Sequence, residues 1–311
     1  MSTRAGTDVG AAATRAVGLD VGGTKTHGVV LAEDGSILAE AREPTRPGAD
    51  GVVATAAEVY DALAREVGGP PGRVGVGVPG LVDAERGVVR HAVNLGVDGA
   101  DLPLRDLLAA RLGVEVAVEN DVNAAALAAG ALAGVDDVVY LSVGTGLAAG
   151  VVIDGRLRRG AQAAAGEVGH LPVDPAGARC GCGQTGCLET IASGRALARA
   201  WPTPDGSPAT AVFTAAAAGD PAAVAVRDRF CRGVASAVRI LGLTIDPERI
   251  VLGGGVAELG EPLREQVVRQ LHVLGEGSPF LASLGLADRL TLVPSGHPVA
   301  AVGAAILGGS P

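Results

Sequence analysis

Lysine is nearly absent from this chain: of 25 basic residues in 311, only Lys25 is a lysine. Asparagine is as scarce, represented by Asn94, Asn120 and Asn123 alone. A coding bias toward arginine, alanine and glycine accounts for both shortages, so the positions that keep the rare residues draw notice. Aromatic residues form 2 % of the chain, which leaves Val, Leu, Ile and Ala to pack the interior of a sequence that is 48 % apolar. Positive charge is in deficit. A formal net charge of −9 denies the chain the basic patch that a general nucleic-acid surface needs. No apolar run approaches the ~20 residues of a membrane-spanning helix. Residues 1–14 hold no hydrophobic stretch of signal-peptide length. They are expected to form a flexible tail, and the protein to be cytoplasmic.

What is present is concentrated. Three of the four cysteines, Cys180, Cys182 and Cys187, fall within eight residues, and His170 lies ten residues upstream. Three thiolates and one imidazole make one tetrahedral Zn²⁺ set. Ordinary core cysteines would not arrive as Cys-x-Cys-x₄-Cys among glycines. A tight Cys/His cluster in a chain of cytosolic character binds metal more often than it forms bridges. Such a closed metal offers no open position for chemistry, but it stiffens a loop. Glu167 and Glu189 bracket the cluster, so a substrate site is expected there. Cys231 sits in an apolar helical pattern and reads as core.

The length suggests two lobes. A strand pattern over residues 17–21 enters the turn Gly22-Gly23-Thr24-Lys25, and a second strand follows over 27–31. Further strands read over 36–42, 73–78 and 114–118, with helices over 50–67, 104–112 and 121–133. A similar programme then restarts. A strand over 137–143 enters Gly144-Thr145-Gly146, and another follows over 151–154. Helices read over 193–200, 208–218 and 221–243. A strand over 250–252 ends in Gly253-Gly254-Gly255, followed by a helix over 260–274, a strand over 290–294 and a helix over 299–307. Repetition and strand–helix alternation predict two related α/β lobes across a cleft. The small lobe is expected over 15–121 plus 298–311, and the large lobe over 122–297. The order of strands is not predicted.

The two glycine turns suit phosphate binding, because glycine lets backbone N–H groups approach phosphate oxygens. Thr24 and Lys25 add donors, and Asp20 is placed to hold Mg²⁺ directly or through water. The spacings of a Walker loop or a dinucleotide fingerprint are absent. Gly253-Gly254-Gly255 offers a face without side chains on which an adenine can lie; a tight strand-to-helix turn is the plain alternative. Glu119-Asn120-Asp121 stands between a strand and a helix. Helix capping explains it equally, but Asp121 is also well held to accept a proton from a sugar hydroxyl attacking phosphorus. Asn94, Asn120, Glu167 and Glu189 are candidates for the other hydroxyls. His170 is a candidate for zinc through one ring nitrogen and for ligand through the other. His27, His91, His272 and His297 show no partner pattern. Arg156, Arg158 and Arg159 make either a solvated hairpin rim or a track for a polyphosphate donor in place of ATP.

In this order, the pieces resemble the ROK family of the sugar kinase, Hsp70 and actin superfamily. The match runs from about Val17 to Leu307. Its pieces are Asp20-Val-Gly-Gly-Thr-Lys25, Gly77-Val-Pro-Gly80, Asn94-Leu-Gly96, Glu119-Asn-Asp-Val-Asn123, Gly144-Thr-Gly146, Gly166-Glu-Val-Gly-His170, the cysteine run to Glu189, and Gly253-Gly-Gly255. The resemblance implies an α/β, two-lobed, actin-like ATPase fold and ATP-dependent phosphorylation of a hexose at its 6-hydroxyl, with Asp121 as base. It implies sugar contacts from Gly80, Asn94, Asn120, Asp121, Glu167, His170 and Glu189, and ATP phosphates at residues 18–25 and 144–151. Zinc would be held by His170, Cys180, Cys182 and Cys187, in a homodimer or homotetramer. Glucose is the first candidate; N-acetylglucosamine and N-acetylmannosamine are the alternatives. The family's repressors carry an added DNA-binding domain, and about sixteen residues before the first strand leave no room for one. Two departures stand out. The second turn continues Leu147-Ala148-Ala149-Gly150, where extra methyl groups are expected to crowd it. Val97-Asp98-Gly99 stands where glucokinases carry an aromatic.

Overall fold

In the computed structural model, residues 16–97 and 101–309 are described; the expected tail at 1–14 lies outside them. The first half runs β1 (Ala16–Val21), β2 (Lys25–Leu31), β3 (Ile37–Pro44), α1 (Ala49–Glu66), β4 (Val74–Val78), β5 (Leu81–Asp83), β6 (Val88–Arg90), α2 (Leu104–Leu112), β7 (Val116–Asn120) and α3 (Asp121–Ala133). The second runs β8 (Val138–Val143), β9 (Leu147–Ile153), β10 (Arg156–Leu157), α4 (Gly194–Ala200), α5 (Pro208–Ala217), α6 (Pro221–Thr244), β11 (Arg249–Gly253), α7 (Glu261–Gly275), α8 (Pro279–Ser283), α9 (Leu286–Arg289), β12 (Leu290–Leu292) and α10 (Val299–Gly309).

Two five-stranded sheets result, and they share one topology. Their orders are β3-β2-β1-β4-β7 and β10-β9-β8-β11-β12. In each, a glycine turn joins an antiparallel hairpin, β1–β2 or β8–β9. In each, a later strand, β4 or β11, lies parallel to the first. The repetition read from the sequence therefore extends to strand order, which local patterns did not predict.

The packing follows from side-chain size. β4 alternates Val and Gly, and all five residues are buried. Its valines join Tyr60 and Leu63 of α1 and Leu104 and Leu108 of α2 in one core. Of its glycines, Gly77 faces the start of α3 and Gly75 faces α10. A Cβ on Gly75 would stand 1.7 Å from the Ala304 carbonyl oxygen, and one on Gly18 of β1 would stand 1.8 Å from that of Ala301. The helix therefore rests directly on strand backbone, which only glycine permits. α10 meets α3 the same way, since a Cβ on Gly303 would lie 1.7 Å from the Ala124 carbonyl oxygen. The far side of α3 packs Ala125, Ala126 and Ala129 on Val138, Tyr140 and Val251 of the second sheet. The other face of that sheet is covered by α5, α6 and α7 through Val212, Phe230, Val234 and Leu263. Two alanine-rich helices thus lie between the sheets, and α3 begins with Asp121.

Some boundaries differ from the sequence reading. β9 starts at Leu147, four residues early, because the chain re-enters the sheet directly after Gly146. Ala148 and Ala149 accordingly lie in a strand paired with Ser142 and Leu141, so their methyl groups do not crowd the turn. β7 runs Val116–Asn120, two residues later than expected. The β5–β6 hairpin, α8 and α9 went unread, being too short for a periodic signal. Among the described residues no helix is long and apolar enough to cross a membrane.

Candidate active site

The strand ends converge. Asp20 and Lys25 from the β1–β2 hairpin, Asp121 from the start of α3, and Gly253–Gly255 after β11 line one cleft of about 420 Å³. The second glycine turn adjoins it: Gly144 faces the backbone of Gly255, and Gly254 sits at a φ of 84° against Val143. Asn94 is brought to the first turn, where its carbonyl oxygen abuts Gly23. That turn is closed by the Gly22 N–H donating to the Lys25 carbonyl at 3.0 Å.

Asp121 is anchored by the Val122 N–H, which donates to its Oδ1 at 3.0 Å. Burial raises its pKa, the Val122 hydrogen bond works against that, and the nearby charge of Glu167 adds to the rise. Asp20 is pushed from 3.8 to about 7, by burial first and by the charge of Asp121 second, with Lys25 opposing. Two carboxylates sharing a desolvated cleft are short of positive charge, and a divalent cation with oxygen ligands fits that deficit.

Asn120 caps α3. Its Oδ1 accepts from the N–H groups of Val122 at 2.9 Å and Asn123 at 3.2 Å. Its Nδ2 donates to the Gly80 carbonyl at 3.1 Å, which joins two of the expected sugar contacts and leaves one N–H of the amide for a ligand. Glu119, immediately before, is buried and bonded to Asn123 Nδ2 at 3.0 Å and Arg159 Nε at 2.6 Å. Arg159 is therefore held by a protein carboxylate, with 39 % of its side chain still exposed. Arg158 pairs with Asp154 at 3.3 Å.

The four soft ligands meet as expected. One donor atom each from His170, Cys180, Cys182 and Cys187 lies within 4.8 Å of all the others. Cys182 and Cys187 Sγ are 3.6 Å apart, and Cys180 Sγ is 3.7 Å from His170 Nδ1. A tetrahedron with Zn–S bonds of ~2.3 Å has edges of ~3.8 Å, so the donor set fits zinc. The sulfurs are too far apart for a disulfide, and Cys231 is buried in α6. Burial and the crowding of Cys182 and Cys180 push the Cys187 thiol up to about 12, a penalty that a bound cation removes. Gln184 Nε2 braces the set by donating to the His170 carbonyl at 3.1 Å and toward Cys182 Sγ at 3.4 Å.

His170 turns Nδ1 to the thiols and Nε2 toward Glu167, 3.8 Å away. Glu167 in turn acts on Asp121, so the cysteine loop and the aspartate share one neighbourhood. Glu189 bridges elsewhere. Its Oε2 accepts from the Leu147 N–H at 3.1 Å and its Oε1 from Arg195 Nη2 at 2.8 Å, tying the cysteine loop to the second glycine turn. Among the cleft residues that the sequence reading did not place there are His27, Arg42, Tyr140 and His297. Two-residue alternation along β2 puts His27 on the face of Lys25, a signal that was available. His297 has a buried Nε2 with no hydrogen-bond partner and a pKa lowered by burial; nothing local marks it. Of the residues after Asn94-Leu95, Asp98 and Gly99 lie outside the described residues.

The chain is similar to known proteins over most of its length. The sequence profile of the ROK family matches residues 16–308. A protein named glucokinase from Thermotoga maritima is 37 % identical over 277 residues, 81 % of this chain and 86 % of that one. N-acetylmannosamine kinase from Yersinia pseudotuberculosis is 32 % identical over 247 residues, 78 % of this chain and 83 % of that one. The crystal structure of a ROK family glucokinase from Streptomyces griseus with glucose and AMPPNP superposes with a TM-score of 0.78 at 33 % identity, covering 94 % of this chain and 99 % of that one. The two-sheet architecture is thus that of the ROK sugar kinases, within the actin-like ATPase fold.

Proposed function

Because this chain belongs to the ROK family, we propose that it is an ATP-dependent glucokinase, transferring the γ-phosphoryl group of ATP to the 6-hydroxyl of glucose. The observation that carries this reading is the cleft in which Asp121 shares space with Asp20, Lys25 and Gly253–Gly255. A base, a phosphate-binding turn and a bare glycine face are the parts that phosphoryl transfer to an alcohol requires.

In this reading Asp121 holds the 6-hydroxyl and takes its proton as the oxygen attacks phosphorus. A buried carboxylate of raised pKa is a stronger proton acceptor than an exposed one. Asn94, Asn120, Glu167, His170, Glu189 and the Gly80 backbone hold the remaining hydroxyls. Residues 20–25 and Gly144-Thr145-Gly146 receive the nucleotide's phosphates, and Gly253-Gly254-Gly255 its base. Mg²⁺, held by Asp20 directly or through water, would neutralise charge on the transferring group. Zn²⁺ on His170, Cys180, Cys182 and Cys187 would fix the loop that presents Glu167 and His170. Closure of residues 15–121 plus 298–311 onto 122–297 excludes water. We place the enzyme in the cytoplasm as a homodimer or homotetramer, acting on small molecules and not on nucleic acid or membrane.

Glucose is preferred over an N-acetylhexosamine because relatives named glucokinase match at 33–37 % identity against 32 % for the N-acetylmannosamine kinase. The test is a coupled assay of ADP release with glucose, mannose, fructose, N-acetylglucosamine and N-acetylmannosamine, run beside Asp121→Asn. Glucose is expected to give the highest kcat/KM. The variant is expected to keep fold and metal and to lose kcat by about a hundredfold or more. A higher kcat/KM with N-acetylmannosamine would move the assignment to that sugar; turnover by Asp121→Asn comparable to the parent would remove the base.

A further inference from the structure

Glu119 is the most deeply buried carboxylate among the described residues, at 1 % exposure. Its Oε1 accepts from the Asn120 N–H at 2.9 Å and from Asn123 Nδ2 at 3.0 Å. Its Oε2 meets Arg159 Nε at 2.6 Å. The arginine comes from forty residues downstream, at the start of the segment that leads to Glu167 and His170. That segment is closed at its neck: the Arg159 carbonyl accepts from the Ala165 N–H at 3.0 Å, and the Gly166 carbonyl accepts from Ala149 N–H at 2.8 Å. Arg159 is thus bonded through its backbone to Ala165, two residues before Glu167.

Helix capping does not need this pair, since Asn120 already caps α3. Stability does not explain it either, because desolvating the Glu119 carboxylate for a partner whose side chain is 39 % exposed seldom outdoes apolar packing of equal volume. What it does provide is register between two pieces of chain that share no strand pairing. One piece, β7 into α3, carries Asn120 and Asp121. The other carries Glu167 and His170. We propose that Glu119 and Arg159 are positioning residues that hold these two halves of the acceptor-sugar site in register, so that the sugar is presented to Asp121. The proposal rests on the kinase reading above.

The test uses the full-length, zinc-loaded chain with Arg159→Ala, Arg159→Lys and Glu119→Gln. Arg159→Ala is expected to lower kcat by about tenfold or more and raise the hexose KM by about fivefold, since small misplacements in a reacting pair are costly. The ATP KM should stay within about twofold, because no nucleotide contact is touched. Arg159→Lys restores the charge without the planar fork, so kcat should recover most of its loss while the hexose KM stays about threefold high. Glu119→Gln should reproduce the hexose-selective pattern. Zinc content and unfolding midpoint are measured on each variant. Equal changes in both KM values would overturn the proposal. So would a kcat loss that merely matches the inactive fraction, or Lys no better than Ala. If Arg159→Ala does not fold, Arg159→Lys decides alone: a hexose-selective rise supports the register role, and no rise refutes it. A parent chain that phosphorylates no hexose would count against the kinase reading, not against this pair.

Discussion

Replacing Gly303 by alanine should strike both stability and turnover. The new Cβ would lie 1.7 Å from the Ala124 carbonyl oxygen, where ordinary contact begins at 3.4 Å. The two helices must therefore part by about 1.7 Å at that point, the difference of the two distances. Overpacking of a core costs about 1–3 kcal/mol. Here the clash is between two helix backbones, which have no rotamer to change, so the upper figure applies, about 3 kcal/mol. With an unfolding entropy of about 2.1 cal/mol/K per residue, a chain of 311 residues shifts by roughly 1.5 °C per kcal/mol, so Tm should fall by about 4–5 °C. The same displacement moves α3, whose first residue is Asp121, so kcat should fall with Tm. Scanning calorimetry of the ligand-free, zinc-loaded protein, beside steady-state kinetics, gives both readouts. A Tm within about 1 °C of the parent with unchanged kcat would show that α3 and α10 do not meet backbone to backbone.

The raised pKa of Asp20 gives a pH prediction. The native state holds a proton that the unfolded chain releases at lower pH, so the ligand-free protein loses stability as pH rises from about 4 to about 7. Asp20→Asn should flatten that fall; urea midpoints with parallel pH profiles for parent and variant would refute the shift. Metal analysis should give one zinc per chain, and Cys187→Ser should lose both the metal and hexose affinity. Full activity in metal-free protein would show that the loop needs no metal.

Much of the site was legible because it uses residue types that are rare in this chain or fixed in spacing. Cysteines separated by one and four intervening residues with a nearby histidine have few other uses, and the structure brings all four together. Glycine turns between apolar strands marked the hairpins because glycine clusters punctuate strand patterns. The pair of Glu119 and Arg159 was not legible. Its partners are forty residues apart, one of them in a chain rich in arginine, and side-chain register between separate segments leaves no local period. The placement of the residues after Gly146 is not legible for a related reason. Whether Ala148 and Ala149 crowd a loop or sit in a strand depends on pairing with β8, a non-local choice. Asn120 illustrates a third limit: capping and ligand binding had been weighed as alternatives, but the amide has enough donors and acceptors to cap α3, hold Gly80 and keep an N–H to spare.

The shortage of lysine has a practical consequence. Lys25 carries the only ε-amine of the chain, and it is exposed at the mouth of the cleft, next to Asp20. An acylating or reductively alkylating reagent therefore meets one side-chain target, and that target reports on whether the cleft is filled. On the proposed placement of the nucleotide's phosphates beside Lys25, the extent of labelling, read by mass spectrometry of a single peptide, should fall as nucleotide is added, with no engineered probe.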